Sequence, residues 1–372
     1  MKPVICFLVS LMIGAALATQ AQTKSFFYKK LYAQQPGFYL ELDLIRLGSE
    51  LEGHFVQGGS QKKGELSGFV LKSGAFLLEE TVFNPSTGED QLIATLTLTP
   101  ESDTEFSVEW LDIQSSDRKY FKLKESYPDG SIPIQLLHEY KHYKARAEIE
   151  LILAQLQTKH PYTHAGVAPI NAYINSHILN YQHPNSRLSN FTDHTAFLDD
   201  FLRRYKEMEA DHEDTTALPI WENKHKILVV TNKSHIVALE FVEIIYEGGA
   251  HPTENIFYVN FDLKTGHVLR LSDVIAEQHL PAFEQLAEQY FRQHYGFREG
   301  TSFLEEGINF PEDHFTLNQN FALRNTGISF HYNIGTIAPR AMGDFELFLP
   351  YEKIRGYVKP GSPLQGLAEG AN

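Results

Sequence analysis

Two short stretches carry side chains of the type and spacing that chemistry requires. His138-Glu139-Tyr140-Lys141-His142 reads H-E-x-x-H. On a helix, two imidazoles four residues apart share one face and can hold a Zn²⁺ ion between them. The glutamate then serves as general base of a zinc-dependent hydrolase. The surroundings oppose that chemistry. Pro133 lies just upstream, Lys141 sets a cation between the two ligands, and Tyr143-Lys144-Ala145-Arg146 continues basic. A fixed positive charge beside a metal site works against the metal. Glu148, Glu150 and Asp193 are available as third ligands, but nothing marks one of them. The second stretch is Tyr246-Glu247-Gly248-Gly249-Ala250-His251-Pro252, with Glu254 beyond it. Paired glycines let backbone approach a ligand closely, so Tyr246, Gly248, Gly249, His251 and Glu254 form a candidate binding set. Paired glycines between apolar runs are also ordinary turn chemistry. A hairpin turn, with His251 bonded to backbone, is the preferred reading.

The other histidines are scattered. His160 with His164, and His177 with His183, are conceivable metal pairs, but loose pairs of this kind are mostly surface residues. Trp110 lies in an alternating segment and reads as core, whereas Trp221 reads as core or as a platform for a sugar ring. Asp199-Asp200 and Glu207 to Asp214 are acidic, either as a solvated helix end or as a patch for a cationic partner. There is no G-x-S-x-G, Walker or dinucleotide fingerprint, so no cofactor is expected.

These residues need elements to hold them, and 372 residues suggest two domains. Formal net charge is −15, from 32 basic and 47 acidic residues. A surface of that sign repels phosphate backbones and anionic lipid heads, which argues against nucleic acid and membrane-surface partners. The chain opens with Lys2, an apolar run from Val4 to Leu17, and small residues at Ala18, Thr19 and Ala21. This is the layout of a signal peptide over residues 1–21, cleaved before Gln22. Export to a bacterial periplasm or beyond follows, with no membrane anchor after cleavage. Cys6 is the sole cysteine and lies in that run, so the mature cores must hold by packing without disulfides.

Residues 24–126 alternate in short segments. Tyr39 to Leu44, Leu51 to Val56, Phe76 to Glu80, Leu92 to Leu98 and Phe106 to Trp110 are separated by turn residues such as Gly58-Gly59-Ser60 and Asn84 to Gly88. Strands spaced like this predict an all-β antiparallel meander, a small barrel or a sandwich. Tyr127 to Pro133 is a turn-rich boundary. Beyond it the pattern predicts helices over 170–179, 195–209 and 281–295. It predicts strands near 227–230, 235–246, 256–263, 267–271, 315–317, 321–323, 327–332 and 345–349. The second domain, 131–358, is therefore α+β, an antiparallel sheet with flanking helices. Residues 361–372 read as a flexible tail.

Motif order adds resemblance. Leu-Glu-Leu, Leu-Glu-Gly-His-Phe and Val-Glu-Trp in the first domain resemble a β meander of exported bacterial proteins, which implies a binding or spacer module. In the second domain, four blocks follow in order. They are Tyr246 to His251, Tyr258-Val259-Asn260-Phe261-Asp262-Leu263-Lys264-Thr265-Gly266, Leu271-Ser272-Asp273-Val274, and Phe321 to Tyr351 with Ile337-Ala338-Pro339 and Pro350-Tyr351. They resemble the extracytoplasmic domain of the anti-sigma factor RsiV over about 235–355, a family of unknown-function domains in envelope proteins. Ile170 to Ile174 resembles the smaller domain that precedes it, at about 145–230. The resemblance implies envelope location and binding of a basic protein such as lysozyme, or of peptidoglycan fragments. The anti-sigma role does not carry over, because no cytoplasmic sigma-binding segment is present. The expected protein is thus a non-catalytic binding module, with the zinc hydrolase of His138, Glu139 and His142 as its rival.

Overall fold

The computed structural model describes residues 25–58, 62–84, 89–159, 161–162, 164–183, 190–215 and 217–370. The leader at 1–21 with Cys6, His160, and the turn residues 59–60 and 85–88 lie outside the described residues.

Alternation builds the first domain. Strands β1 (Phe26–Gln35), β2 (Phe38–Leu47), β3 (Glu50–Gly58), β4 (Lys62–Val70), β5 (Phe76–Asn84), β6 (Glu89–Pro100), β7 (Glu105–Asp112) and β8 (Arg118–Glu125) run up and down. They close into a barrel where Leu31 pairs with Glu125 and Tyr32 with Lys124. The period of two sends Leu40, Leu42 and Leu44, Phe76 and Leu78, and Phe106, Val108 and Trp110 inward, where they fill the lumen. Phe55 meets Trp110 edge to face at 5.0 Å. Between barrel and sandwich, the chain thus forms the barrel, and closure removes the free edges.

The second domain begins with β9 (Ile134–Tyr143), β10 (Ala147–Leu156), β11 (Trp221–Lys233), β12 (Ile236–Tyr246), β13 (Thr253–Asp262) and β14 (Val268–Leu269). Their order in the sheet is β14-β13-β12-β11-β10-β9. β10 and β11 run parallel, so the chain must cross over between them. The crossover holds α1 (Val167–Leu179) and α2 (His194–Ala210). Ile170, Ile174 and Ile178 of α1, and Phe197, Phe201 and Tyr205 of α2, recur at helical spacing. They share one core with Leu151, Ile227, Leu239 and Phe241 of the sheet. The Asp193 carboxylate caps α2 by accepting from Ala196 N–H at 2.8 Å.

The rest of the domain comprises α3 (Leu271–Val274), α4 (Leu280–Tyr295), β15 (Phe321–Leu323), β16 (Gly327–Tyr332), β17 (Phe345–Pro350), α5 (Tyr351–Ile354) and α6 (Pro363–Gly370). β15, β16 and β17 form an antiparallel three-stranded sheet. Phe291 of α4 sits among Phe303, Phe310, Phe315, Tyr332 and Phe345, with ring centroids between 5.5 and 6.2 Å. Two expectations need correction here. Residues 315–317 are not a strand: Phe315 is drawn into the aromatic cluster and Leu317 N–H donates to the Glu284 carboxylate at 3.0 Å. Nor is the stretch from 361 frayed, because Leu364, Leu367 and Ala368 of α6 are buried in the second core. Among the described residues, no helix is long and apolar enough to cross a membrane.

Asparagine amides stitch these pieces together by copying a peptide group. Asn232 donates to Ile132 O at 2.6 Å and accepts from Ile132 N–H at 2.9 Å. Asn171 does the same with Leu156, at 2.8 and 2.9 Å. Asn260 bridges Phe321 O and Leu323 N–H, which ties the two sheets together. Asn320 and Asn333 bond to the outer edge of β13 at Ile256 and Tyr258.

The barrel docks on the second domain through the outward face of β1 and β2. Lys30 is fully buried there, with Nζ 2.6 Å from Glu41 Oε1 and 3.1 Å from Asp43 Oδ1. Lys233 of β11 reaches Glu41 at 2.7 Å. Tyr28 OH donates to Asp43 at 2.6 Å and Asn325 Nδ2 at 3.1 Å. Burial works against ionisation of Glu41, but Lys30 and Lys233 outweigh it and hold the carboxyl well below its usual range.

Two outcomes follow from this packing. Leu367→Ala should cost roughly 2–5 kcal/mol in a denaturant melt, as for any well-packed leucine, whereas a frayed tail would leave stability unchanged. Because the Glu41 carboxyl is depressed in the folded chain, its stabilisation is present in full above the unfolded carboxyl's titration near ~4.3. It fades as pH falls from there toward the folded value. The melting-temperature gap between the parent and Glu41→Gln should therefore be wide near neutral pH and narrow in acid.

Candidate functional site

Period two along β11 and β12 places an unusual set of side chains under the crossover helices. Trp221, Asn223, His225 and Ile227 of β11 share one face, and Leu239, Phe241, Glu243 and Ile245 of β12 continue it. From α1, His177 Nε2 comes within 3.1 Å of Glu243 Oε1, its ring edge-on to Phe241 at 5.0 Å and Phe257 at 5.2 Å. His183, just past α1, stands 3.1 Å from Glu247 Oε2. Arg204 of α2 donates Nη1 to the other oxygen of Glu247 at 2.8 Å. Its Nε lies 3.4 Å from Asp200, and the guanidinium lies over Trp221 at 5.6 Å. Arg203 also donates to Asp200.

The electrostatics follow from burial and pairing. Burial alone would raise the carboxyls of Glu243 and Glu247. The His177 hydrogen bond, with the fields of His225 and His177, holds Glu243 below its usual range. Hydrogen bonds from His183 and Arg204 do the same for Glu247. His225 is only 1% exposed, with Tyr181 and Phe197 edge-on, each at 5.0 Å. Neither of its ring nitrogens meets a hydrogen-bond partner, nor do the Asn223 Oδ1 and Trp221 Nε1 atoms beside it. Burial drives the His225 imidazole down to about 4, against the pull of Glu243 and with the push of His177. At neutral pH it is an uncharged ring in a dry setting. The cluster therefore joins two mutually satisfied histidine–carboxylate pairs to one proton-poor histidine.

The glycine stretch does form the β12–β13 turn. Gly248 and Gly249 take φ of 96° and 110°, the left-handed region that favours glycine. Tyr246 OH donates to Gly249 O at 3.1 Å across the loop. A Cβ on Gly248 would stand 3.0 Å from the Pro219 ring, so the turn tip abuts the loop between α2 and β11. His251 and Glu254 are exposed, outside this buried cluster. Glu247, inside the same motif, is the residue turned inward. Its signal was the interruption of an apolar face, since Glu243 and Glu247 alternate with Phe241 and Ile245.

H-E-x-x-H requires correction. It lies on β9, not on a helix. Four strand residues span ~13 Å, at about 3.3 Å each, so His138 and His142 cannot both reach one ion. His138 instead stacks on Phe26 at 3.7 Å and meets Glu150 at 3.0 Å. Glu139 points to the opposite face, 3.3 Å from His194. Among the described residues, no group of three or more His, Cys, Asp or Glu side chains is placed to hold a metal. The acidic stretch divides too: Asp199 pairs with Lys141 at 2.5 Å and Glu209 with Lys144 at 2.8 Å, while Asp211 and Glu213 lie exposed beyond α2. Trp221 is core, not a platform.

Similarity to known proteins maps onto these parts. Residues 272–352 match the family described as "Protein of unknown function (DUF3298)", and residues 150–254 match "Deacetylase PdaC". The histidines, carboxylates and arginines of the buried cluster fall within 150–254, and Phe257, against His177, lies just beyond. No curated protein matches the chain. A crystal structure of a DUF3298 family member from Bacteroides fragilis superposes with a TM-score of 0.50 at 20% identity, covering 64% of this chain and 97% of that one. A DUF3298 family protein from Pseudomonas aeruginosa gives 0.45 at 18% identity, over 63% and 97%. The first of these likenesses speaks for the fold alone.

The buried imidazole gives a signed prediction. Its folded pKa lies below the unfolded value of ~6.5, so the unfolded chain takes the proton first and stability falls as pH drops from ~6.5 toward the folded value. At about 1.4 kcal/mol per unit, the loss is on the order of 3 kcal/mol. Chemical denaturation across that window should show the slope in the parent and a flatter profile in His225→Leu. An equal slope in both chains would rule out His225 as its source.

Proposed function

We propose that this chain is an exported bacterial envelope protein whose second domain, of the RsiV extracytoplasmic type, recognises a partner without transforming it. The favoured partner is a basic protein of the lysozyme kind, with cell-wall glycan second. The observation that carries this is the edge formed by the β12–β13 turn and the α2–β11 loop. Gly249, Ala250, His251 and Glu254 stand exposed there, with nothing within 4 Å of a Cβ built on Gly249. The loop whose Pro219 touches Gly248 carries the exposed carboxylates Asp211 and Glu213, and Ile220 at 53% exposure. Accessible backbone, one apolar side chain and surplus negative charge suit a cationic protein surface. The net charge of −15 supplies attraction over longer range. The buried cluster beneath supports β12 from behind, because Glu243 is held by His177 of α1 and Glu247 by His183 and by Arg204 of α2.

Calorimetry against lysozyme and soluble peptidoglycan fragments tests the reading. Binding should appear at low salt and weaken as salt screens the charges. The double variant Asp211→Lys, Glu213→Lys should weaken lysozyme binding at least tenfold without lowering the melting temperature. Silence toward both ligands at low salt would defeat the proposal. Because residues 150–254 match a family named for a deacetylase, release of acetate from acetylated fragments is measured alongside. Turnover would replace recognition with catalysis.

A further inference from the structure

A second concavity lies where the barrel meets the second domain, formed by other elements than the β12–β13 turn. It is a cleft of about 300 Å³ between β1, the exit of β8, the start of β9 and Gln157. Pockets at domain junctions are common ligand sites, and this volume is at the small end of their range. Its charged groups neutralise one another. Lys29 Nζ donates to Glu125 Oε2 at 2.5 Å and to Asp103 O at 2.6 Å, and Tyr127 OH donates to the other Glu125 oxygen at 2.9 Å. The amides at the rim are held loosely, with Gln157 Nε2 at 3.4 Å from both Gln135 Oε1 and Gln155 O. At that length a better partner displaces them readily. Phe26 gives the cleft an aromatic wall. One face of its ring is braced by His138, stacked at 3.7 Å and held in turn by Glu150, and the partly buried ring contributes to the cleft lining.

Each ligand class meets this lining differently. An anion would face the Glu125 carboxylate and the Asp103 carbonyl oxygen, and a cation would meet Lys29. A hydrocarbon would strip water from the glutamine amides without replacing their hydrogen bonds. A compact ligand with apolar C–H faces and hydroxyl edges satisfies both kinds of wall, the faces against Phe26 and the edges against Gln135, Gln157 and the Lys29–Glu125 pair. We propose that this interdomain cleft binds one neutral saccharide ring. The inference shares with the preceding reading only the premise that the protein works among envelope glycans.

The test is calorimetric titration of the full mature chain with N-acetylglucosamine oligomers, and with maltose as a neutral sugar of different pattern. The parent should bind at least one of them. Gln157→Ala and Phe26→Ala should each weaken that binding at least fivefold, while lysozyme binding and the melting temperature stay as in the parent. If Phe26→Ala fails to fold, Gln157→Ala alone decides. No saccharide binding by the parent, or binding unchanged in Gln157→Ala, overturns the cleft proposal. Loss of lysozyme binding with saccharide binding retained would count against the acidic edge and not against the cleft.

Discussion

The arrangement of the two domains depends on one buried ammonium group. Lys30 has no access to water, and taking a lysine out of water costs several kcal/mol unless its charge is matched and its protons are bonded. Glu41 and Asp43, both on the neighbouring strand, supply the match. They leave a second problem, because two carboxylates outnumber one cation. The rest of the protein solves it: Lys233 comes from the far end of β11, Asn325 from the turn between β15 and β16, and Tyr28 from β1 itself. The barrel cannot rotate against the second domain without exposing a mismatch in that set. Geometry at the interdomain cleft, with Lys29 one residue away and Phe26 on the same strand, inherits that rigidity.

Side-chain amides serve a similar purpose where no charge is involved. A strand edge or chain segment that ends inside a protein must still satisfy its N–H and C=O groups. Asn171, Asn232, Asn260, Asn320 and Asn333 each meet this need by presenting one donor and one acceptor at peptide-like spacing. Two of them also blunt the outer edge of β13, which would otherwise invite another strand. Asn232 pins Ile132, so the segment joining the domains is fixed at its second-domain end and is not a loose tether.

Much of the fold was legible because it rests on local periodicity. Phe283, Ala287 and Phe291 recur along α4 at helical spacing, and the alternation of β2, β6 and β7 is plain. Barrel closure was not legible, since it depends on Leu31 and Tyr32 meeting residues 124 and 125, nearly a hundred positions away. The helical tail escaped notice because eight residues with two leucines and an alanine look like a frayed end until a core receives them. His138 and His142 misled for the opposite reason. Their spacing fits a helix, but Ile134, Leu136 and His138 already alternate as a strand does. At the buried histidine cluster, the glycines of the turn drew attention from Glu247 between them and the strand. His225 stood in plain alternation with Trp221 and Ile227, yet only the packing of Tyr181 and Phe197 around it shows that it is dry.

The polar character of the docking face also bears on how such a chain is made. Synthesis is vectorial, and the barrel's hydrophobic interior is complete once residue 125 has emerged. Lys233 and Asn325 follow far later, 192 and 282 positions from the carboxylates they meet. In the interval the face that will be buried carries Lys30, Glu41 and Asp43 beside the apolar Tyr28 and Ile45, so its charges keep part of it hydrated before the second domain arrives. Without those charges the same face would wait in water as a larger continuous apolar patch, the usual starting point of aggregation. The ion cluster thus lets an early domain stand idle safely until its later half arrives.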